Sequence, residues 1–472
     1  MSKFFFILII IFSNMVKADF FSNISELIEN NTDRLSYGVS VTDFNNDGNY
    51  EFIVAGFGYS NLALSYKNGK LSNTIEDPLF IDKNRNTIGV SSCDIDQDGF
   101  EEIYFLNTDT YSGDKKHSDR LLDNENKIFD YFELEKNLKN LNLTAGRSVV
   151  CVDRNGSGKY GIYVANYGGP TRFYEIEKEK VEDLAPILGI DQITGGRAVV
   201  SGHIISNQMD IFAANERGPN FLYKNNNGNF KDIAIEKNIQ DTFQNGRGTT
   251  LTDFLYRGEL DIISSNWEGY HRIFVKQKES FLDMSSLEFR LPSRIRTVIS
   301  ADFDNDGYDE IFLNNIGQPN RLFKILDYGK LKEISLNEAL EPNGLGTGAA
   351  VADIDKDGIL ELLISHGESG PQPLSLFKAN VSKNNSYLRI KAINSLGAPA
   401  RGATVTLNTN MRNHSKTIDA GSGYLCQMEP VAHYGIRTNE VIESIVIKWT
   451  NGNENKYKIK ELNKVYEFRQ PI

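Results

Sequence analysis

The sequence predicts an all-β chain, a seven-bladed β-propeller followed by a small C-terminal β-sandwich. An acidic turn of the form DFDNDGYDE (Asp302 to Glu310) recurs with loop starts at Asp43, Asp94, Asp153, Gly202 or His203, Asp253, Asp302 and Asp353, 49 to 59 residues apart. Each turn is flanked by short β-branched and aromatic runs such as RTVISAD and EIFLNN, which read as strands. From about Asn384 that period stops and a different alternating pattern begins.

Within one unit, a first strand ends in the first Asp and a second runs from the loop to an Asn. A third resembles NRLFK and a fourth NFKDI. Four short antiparallel strands make a blade, and seven copies make a closed ring. The seventh unit has a third strand, LSLFKAN, but no fourth, whereas DFFSNISELIENN near the start looks like the outer strands of later units. Residues 19–27 are therefore expected to complete the seventh blade and pair its open edge. The expected domains are the propeller over 19–380 and the β-sandwich over 384–470.

The opening MSKFFFILIIIFSNMVKA has Lys3, an apolar run from Phe4 to Phe12, and small residues at Val16 and Ala18. It reads as a secretory signal peptide over 1–18, cleaved after Ala18. No stretch is long enough to span a bilayer, so a secreted or periplasmic protein without a membrane span is expected. The net charge of −12 resides largely in the acidic turns and argues against a nucleic-acid partner, which needs basic patches.

Alternating carboxylates before a glycine converge oxygens on one point, which suits Ca²⁺. Four copies carry the full set: Asp43, Asn45, Asp47 and Glu51; Asp94, Asp96, Asp98 and Glu102; Asp302, Asp304, Asp306 and Glu310; Asp353, Asp355, Asp357 and Glu361. The main-chain carbonyls of Asn49, Phe100, Tyr308 and Ile359 are expected to join them. A fifth, weaker candidate keeps Asp153, Asn155 and Ser157 but lacks the last acid. The copies at Gly202 to Asp210 and Asp253 to Asp261 place Ile204 and Leu255 where ligands belong and are expected to bind no cation.

Six residues before the loop starts stand Arg147, Arg197, Arg247 and Arg296. Six strand residues span about 20 Å, so these arginines belong to the end of the ring opposite the acidic turns. The second strands return to that end at Asn166, Asn215, Asn266 and Asn314, with Arg217 and Trp267 beside them. Two readings fit: arginines that pack the blades by bonding neighbouring carbonyls, or a cluster that holds a carboxylate, phosphate or sulfate. The second makes this face a site for an acidic glycan or an extracellular or periplasmic protein.

Cys93, Cys151 and Cys426 are expected as buried thiols, with a Cys93–Cys151 bridge as the alternative. The histidines at 117, 203, 271, 366, 414 and 433 are scattered, and no nucleophile elbow, HExxH or phosphate loop occurs. A noncatalytic binding or adhesion module is the expectation. The alternative is a carbohydrate-active enzyme, a polysaccharide lyase or hydrolase, using the face opposite the acidic turns.

Arg401 to Val405 (RGATV), Ala420 to Gln427 (AGSGYLCQ), His433 to Ile436 (HYGI) and Val446 to Gly452 (VIKWTNG) resemble the signature of the ASPIC/UnbV domain family. The acidic turns look like its usual companions, VCBS or FG-GAP repeats of the integrin-alpha-like kind. Thr450 stands where proline is usual and Cys426 where serine is common. The resemblance implies a secreted Ca²⁺-binding propeller with an appended β-domain, found in matrix or adhesion settings, and supplies no reaction.

Overall fold

The computed structural model describes residues 20–124 and 127–471; the signal-peptide expectation and its cleavage site lie outside them. Among the described residues, the repeat region forms seven antiparallel units of four strands, the third and fourth joined by pairing of Gly161–Pro170 with Ile193–Gly202. In each unit the first strand is buried throughout or nearly so, as in Gly146–Val152 and Gly246–Thr252. That accounts for near-continuous small and β-branched runs in place of alternation, because both faces of the strand are covered.

First strands of successive units lie side by side, and Ser36–Thr42 of the first unit also neighbours Gly346–Ala352 of the seventh. Phe21–Asn23 pairs antiparallel with Ser375–Ala379, beginning with Phe21 opposite Ala379, and is the fourth strand of that sheet. Phe21 is fully buried, with its ring 5.2 Å from that of Phe303. Deleting this short strand would expose both a sheet edge and an aromatic contact.

Beyond residue 384, Ser386–Ile393 lies between Ala432–Ile436 and Lys464–Arg469, and Thr404–Thr409 lies between Asn413–Thr417 and Ile442–Lys448. The two sheets share one core in which Leu388, Ile390, Val405, Leu407, Ile447 and Trp449 are fully buried.

This region does more than follow the repeats. Residues 418–431 leave it as a hairpin and run between the first strands of the repeat region. Cys151 N donates to Ala420 O at 2.8 Å, Thr249 N to Gly423 O at 2.7 Å, Val90 N to Leu425 O at 3.3 Å, and Gln427 N to Val39 O at 2.9 Å. The hairpin thus satisfies backbone groups of strands from several sheets at once. A Cβ on Gly421, whose φ is +126°, would stand 2.6 Å from Val150 Cγ1, so the AGSG run is fixed by lack of room.

Arg401 anchors the hairpin's base. It is fully buried, donates to Glu101 Oε1 at 2.7 Å, and also bonds Val41 O at 2.8 Å and Met428 O at 2.9 Å. The motifs RGATV and AGSGYLCQ therefore act together, one clamping and one inserting.

One expectation is corrected. Cys93 and Cys151 are not thiols but a disulfide with Cα atoms 6.3 Å apart, across the first strands of the second and third units. Their separation of 58 residues gives no local signal of proximity. Cys426, in the hairpin, is free and buried as expected.

Candidate functional site

The acidic turns share a backbone scheme set by their first and ninth residues. Asp302 Oδ2 accepts from Gly307 N at 2.9 Å, and Glu310 Oε2 accepts from Phe303 N at 3.0 Å. The same pair of contacts recurs at Asp353 with Gly358 and Glu361 with Ile354. Gly48, Gly99, Gly307 and Gly358 all sit near φ +83° to +95°, the left-handed geometry the turn requires.

Carboxylate oxygens of Asp43, Asp47 and Glu51, of Asp94, Asp96 and Glu102, of Asp302, Asp304 and Asp306, and of Asp353, Asp355 and Asp357 gather within 4.8 Å in their respective turns. A further set joins Asp98, Glu102 and Asp123. Such donors fit a hard cation, and the buried Asp353 Oδ1 has no hydrogen-bond partner in the structure. Burial, reinforced by Asp306 and Asp304, raises Asp302 to about 8; burial raises Asp94 to about 7 and Glu51 to about 8. Anions crowded in this way are relieved by a bound cation.

The four complete turns differ in what the third strand places opposite the ninth-position acid. Glu310 faces Lys324, and Glu361 faces Lys378. Lys324 Nζ lies 2.8 Å from Asp304, 2.6 Å from Asp306 and 3.0 Å from Glu310, while Lys378 Nζ reaches Asp355, Asp357 and Glu361 at 2.5 to 2.8 Å. Glu51 instead faces Ser65, whose hydroxyl donates to it at 2.8 Å. In the second turn the corresponding residue is Asp123, a further acid.

The fifth, weaker candidate, in the third unit, is occupied by protein. Asp153 Oδ2 accepts from Thr450 Oγ1 at 2.7 Å and from Gly158 N at 2.8 Å. Its neighbour Asn155 sits beside Gly228. Thr450 thus gives the departure from proline a local role, a hydroxyl that bonds a buried carboxylate.

At the other end, the pairing of first and second strands shifts register in every unit, and the residue at or beside the shift is Tyr37, Ile88, Arg147, Arg197, Arg247, Arg296 or Thr347. A bulge re-aims its side chain. Here four guanidinium groups from four consecutive units line one cavity of about 320 Å³, together with Tyr37 and Ile88. The hairpin tip, Tyr424 and Leu425, lines the same cavity.

Carboxylates and rings hold the arginines in place. Glu216 accepts from Arg197 Nε at 2.6 Å and from Arg247 Nη1 at 3.0 Å, and Glu368 pairs with Arg296. Arg197 lies 4.5 Å over Tyr167, and Arg296 lies 4.3 Å over Trp267. Among the described residues Arg147 has only main-chain acceptors, Gly146 O at 3.0 Å, Thr110 O at 3.5 Å and Tyr111 O, so part of its bonding follows the packing reading. Burial pulls the Tyr424 phenol upward, yet the four arginines outweigh it and hold the group below its ordinary value.

Known proteins place the chain. The ASPIC and UnbV model matches residues 394–472, and the FG-GAP-like repeat model matches 43–105 and 302–364. Human cartilage acidic protein 1 is 43% identical over 485 aligned residues, which cover 94% of this chain and 73% of the human protein. The chain belongs to the cartilage acidic protein 1 family. The Xenopus tropicalis and mouse proteins of that name are 43% and 42% identical, over 90% and 94% of this chain and 72% and 75% of their own lengths.

In this member of the cartilage acidic protein 1 family, the two FG-GAP matches enclose all four complete acidic turns. The ASPIC match contains both the clamp, Arg401, and the inserted Tyr424. Among residues expected at the opposite face, the structure brings the four arginines together and puts Trp267 beneath two of them. Asn166, Asn215 and Asn266 are buried and bond Pro170 O, Pro219 O and Tyr270 O, at 2.6 to 2.7 Å, so their amides serve turns. Asn314 reaches Gly348 O at 3.4 Å, and the Arg217 side chain is 80% exposed outside the cavity.

Sequence reasoning missed Tyr424, Glu368, Lys324, Lys378 and Asp123. The lysines and Asp123 carried one usable signal, their fixed place on the third strand. Tyr424 carried none, because its position depends on the hairpin's insertion.

Proposed function

We propose that the chain is a seven-bladed β-propeller over 19–380 with a β-sandwich over 384–470, exported by its leader to the cell exterior or periplasm. It acts as a noncatalytic binding or adhesion module. Ca²⁺ held by the complete acidic turns fastens one end of the ring, and the arginine cavity at the other end receives an acidic glycan or protein. The observation that carries this reading is the convergence of Arg147, Arg197, Arg247 and Arg296 on one cavity.

The metal's part is to neutralise and orient carboxylates. Asp94, Asp96, Asp98 and Glu102 would hold one ion, with Phe100 O; the turns at Asp43, Asp302 and Asp353 would hold others, with Asn49 O, Tyr308 O and Ile359 O. The chain's own residues do the rest. Position-one and position-nine acids keep each turn closed through backbone N–H groups, and the hairpin holds Tyr424 under the arginines. A cluster of guanidinium groups in a partly enclosed cavity favours carboxylate, sulfate or phosphate ligands.

The test is a glycan and peptide array probed with the Ca²⁺-loaded protein, followed by product analysis on every hit. Retention of acidic ligands without cleavage, lost in the Arg197→Gln and Arg247→Gln double variant, is the expected result. Cleaved products would replace this reading with the enzymatic one, and binding that survives the double variant would move the site elsewhere.

A further inference from the structure

The seven bulged positions around the hairpin tip are not uniform, and their order divides the cavity. Arginines occupy the third to sixth units in succession, whereas the first and second carry Tyr37 and Ile88. Phe57 stands next to Tyr37, with ring centroids 5.4 Å apart, and Leu425 of the hairpin closes the same side. One side is therefore cationic, and the other carries an apolar patch of Tyr37, Phe57, Ile88 and Leu425 beside Thr108, Asp109 and Thr110.

Charge balance narrows the ligand further. Glu216 pairs with Arg197 and Arg247, Glu368 pairs with Arg296, and Asp109 lines the same cavity, so three carboxylates stand against four guanidinium groups and leave one positive charge in excess. Arg147 is the arginine with no carboxylate partner among the described residues, and its buried Nε has no hydrogen-bond partner. An anion bound beside it would gain charge-assisted hydrogen bonds in a site already shielded from water.

We infer that this cavity takes a single carboxylate carried on an apolar body, the carboxylate against Arg147 and the body against Tyr37, Phe57, Ile88 and Leu425. The inference rests on the proposed binding function and narrows it. A polyanionic, fully hydroxylated sugar chain would leave the apolar patch unused and bring more charge than the cavity balances. An aliphatic or aromatic acid, or a peptide's C-terminal carboxylate after an apolar residue, uses both sides. A cavity of about 320 Å³ lies at the lower end of the roughly 300–1,000 Å³ usual for ligand pockets, so one such residue fills it.

The experiment uses the full mature chain with Ca²⁺ present and calorimetry or ligand-observed NMR. The probes are 3-phenylpropanoate, its neutral amide, acetate, glucuronate and inorganic sulfate. Expected are 3-phenylpropanoate binding about tenfold or more tighter than acetate, as buried apolar area requires, and no measurable binding of the amide. Arg147→Gln should weaken 3-phenylpropanoate by about tenfold or more, as loss of a charge-assisted bond does, with Arg147→Lys restoring part of it. Phe57→Ser should weaken 3-phenylpropanoate and leave acetate unchanged. Each variant is first shown by circular dichroism to fold as the parent does.

Equal affinity for acetate and 3-phenylpropanoate, or tighter binding of glucuronate or sulfate, would overturn the inference while leaving an anion site in place. Failure of every anion to bind would overturn both this inference and the binding function beneath it.

Discussion

Lys324 Nζ lies 2.6 Å from Asp306 Oδ2, inside an acidic turn that by sequence alone is a complete cation site. The third strand brings the lysine there because residue 324 is the registered partner of Glu310. Lys378 does the same for Glu361. A tethered ammonium competes with a divalent ion for the same oxygens, and burial of an unpaired ion is the cost of expelling it. The second turn has Asp123 where these turns have lysine, so it offers the densest negative charge. Calcium titration should accordingly resolve unequal sites, with the Asp94–Glu102 turn tightest. Asp123→Asn should weaken that site by about tenfold, and Lys324→Met and Lys378→Met should tighten the sixth and seventh by a similar factor, since ligand charge sets affinity in such loops. Identical affinities at all turns, unchanged by these substitutions, would refute the competition.

The hairpin that carries Tyr424 is held by Arg401, whose guanidinium bonds Glu101, two main-chain carbonyls on the hairpin's flanks and one on the first unit. Arg401→Met keeps the volume and removes the charge, leaving Glu101 buried and unpaired at a cost of about 3–5 kcal/mol. Thermal unfolding should show a large fall in Tm, and proteolysis should cut near 418–431 at a rate the parent does not show. Glu101→Gln combined with Arg401→Met should recover part of the loss. A single variant as stable as the parent would mean that the hairpin is seated without its clamp.

Legibility in the sequence followed the range of each interaction. The turn from Asp302 to Glu310 is local: its acids, its glycine and its flanking strands are all within a few residues, so both its conformation and its chemistry could be read. The four arginines could be placed at one end because strand length fixes distance. Their common cavity could not, since the bulge that turns each side chain inward is a pairing irregularity with no residue signature of its own. Lys324 and Lys378 were visible as residues but not as counter-ions, because a strand and a turn separate them from the acids they meet. Tyr424, Arg401 and the Cys93–Cys151 pair depend on contacts across tens to hundreds of residues, and for these the sequence held motifs but no geometry.

The disulfide makes a separate stability prediction. Cys93 and Cys151 enclose 58 residues, and closing a loop of that size restricts the unfolded chain by about 4 kcal/mol on chain-entropy grounds. The Cys93→Ser and Cys151→Ser double variant, or the parent in strong reductant, should unfold at lower denaturant concentration by a corresponding amount. Thiol titration of the denatured, unreduced protein should find one reactive group per chain, Cys426. Three reactive thiols would show that the bridge is absent in solution.

His271 supplies the pH dependence. It is fully buried; its Nδ1 accepts from Asn266 N at 3.1 Å and its Nε2 lies 3.1 Å from Ser293 Oγ. Burial, with Arg321 adding to it, lowers the imidazole from 6.5 to about 3. A proton added at Nδ1 would face the Asn266 N–H, so the folded state resists protonation that the unfolded chain accepts. The sign follows: with the folded value depressed, the stabilisation is present above about pH 6.5 and is lost as pH falls toward about 3. Tm should therefore drop across that interval, and His271→Asn, which retains an acceptor but no longer titrates, should flatten the slope by about one proton's worth. NMR should show the His271 ring resonances unmoved between pH 7 and 5. A His271 ring that titrates within that interval would remove the basis for the prediction.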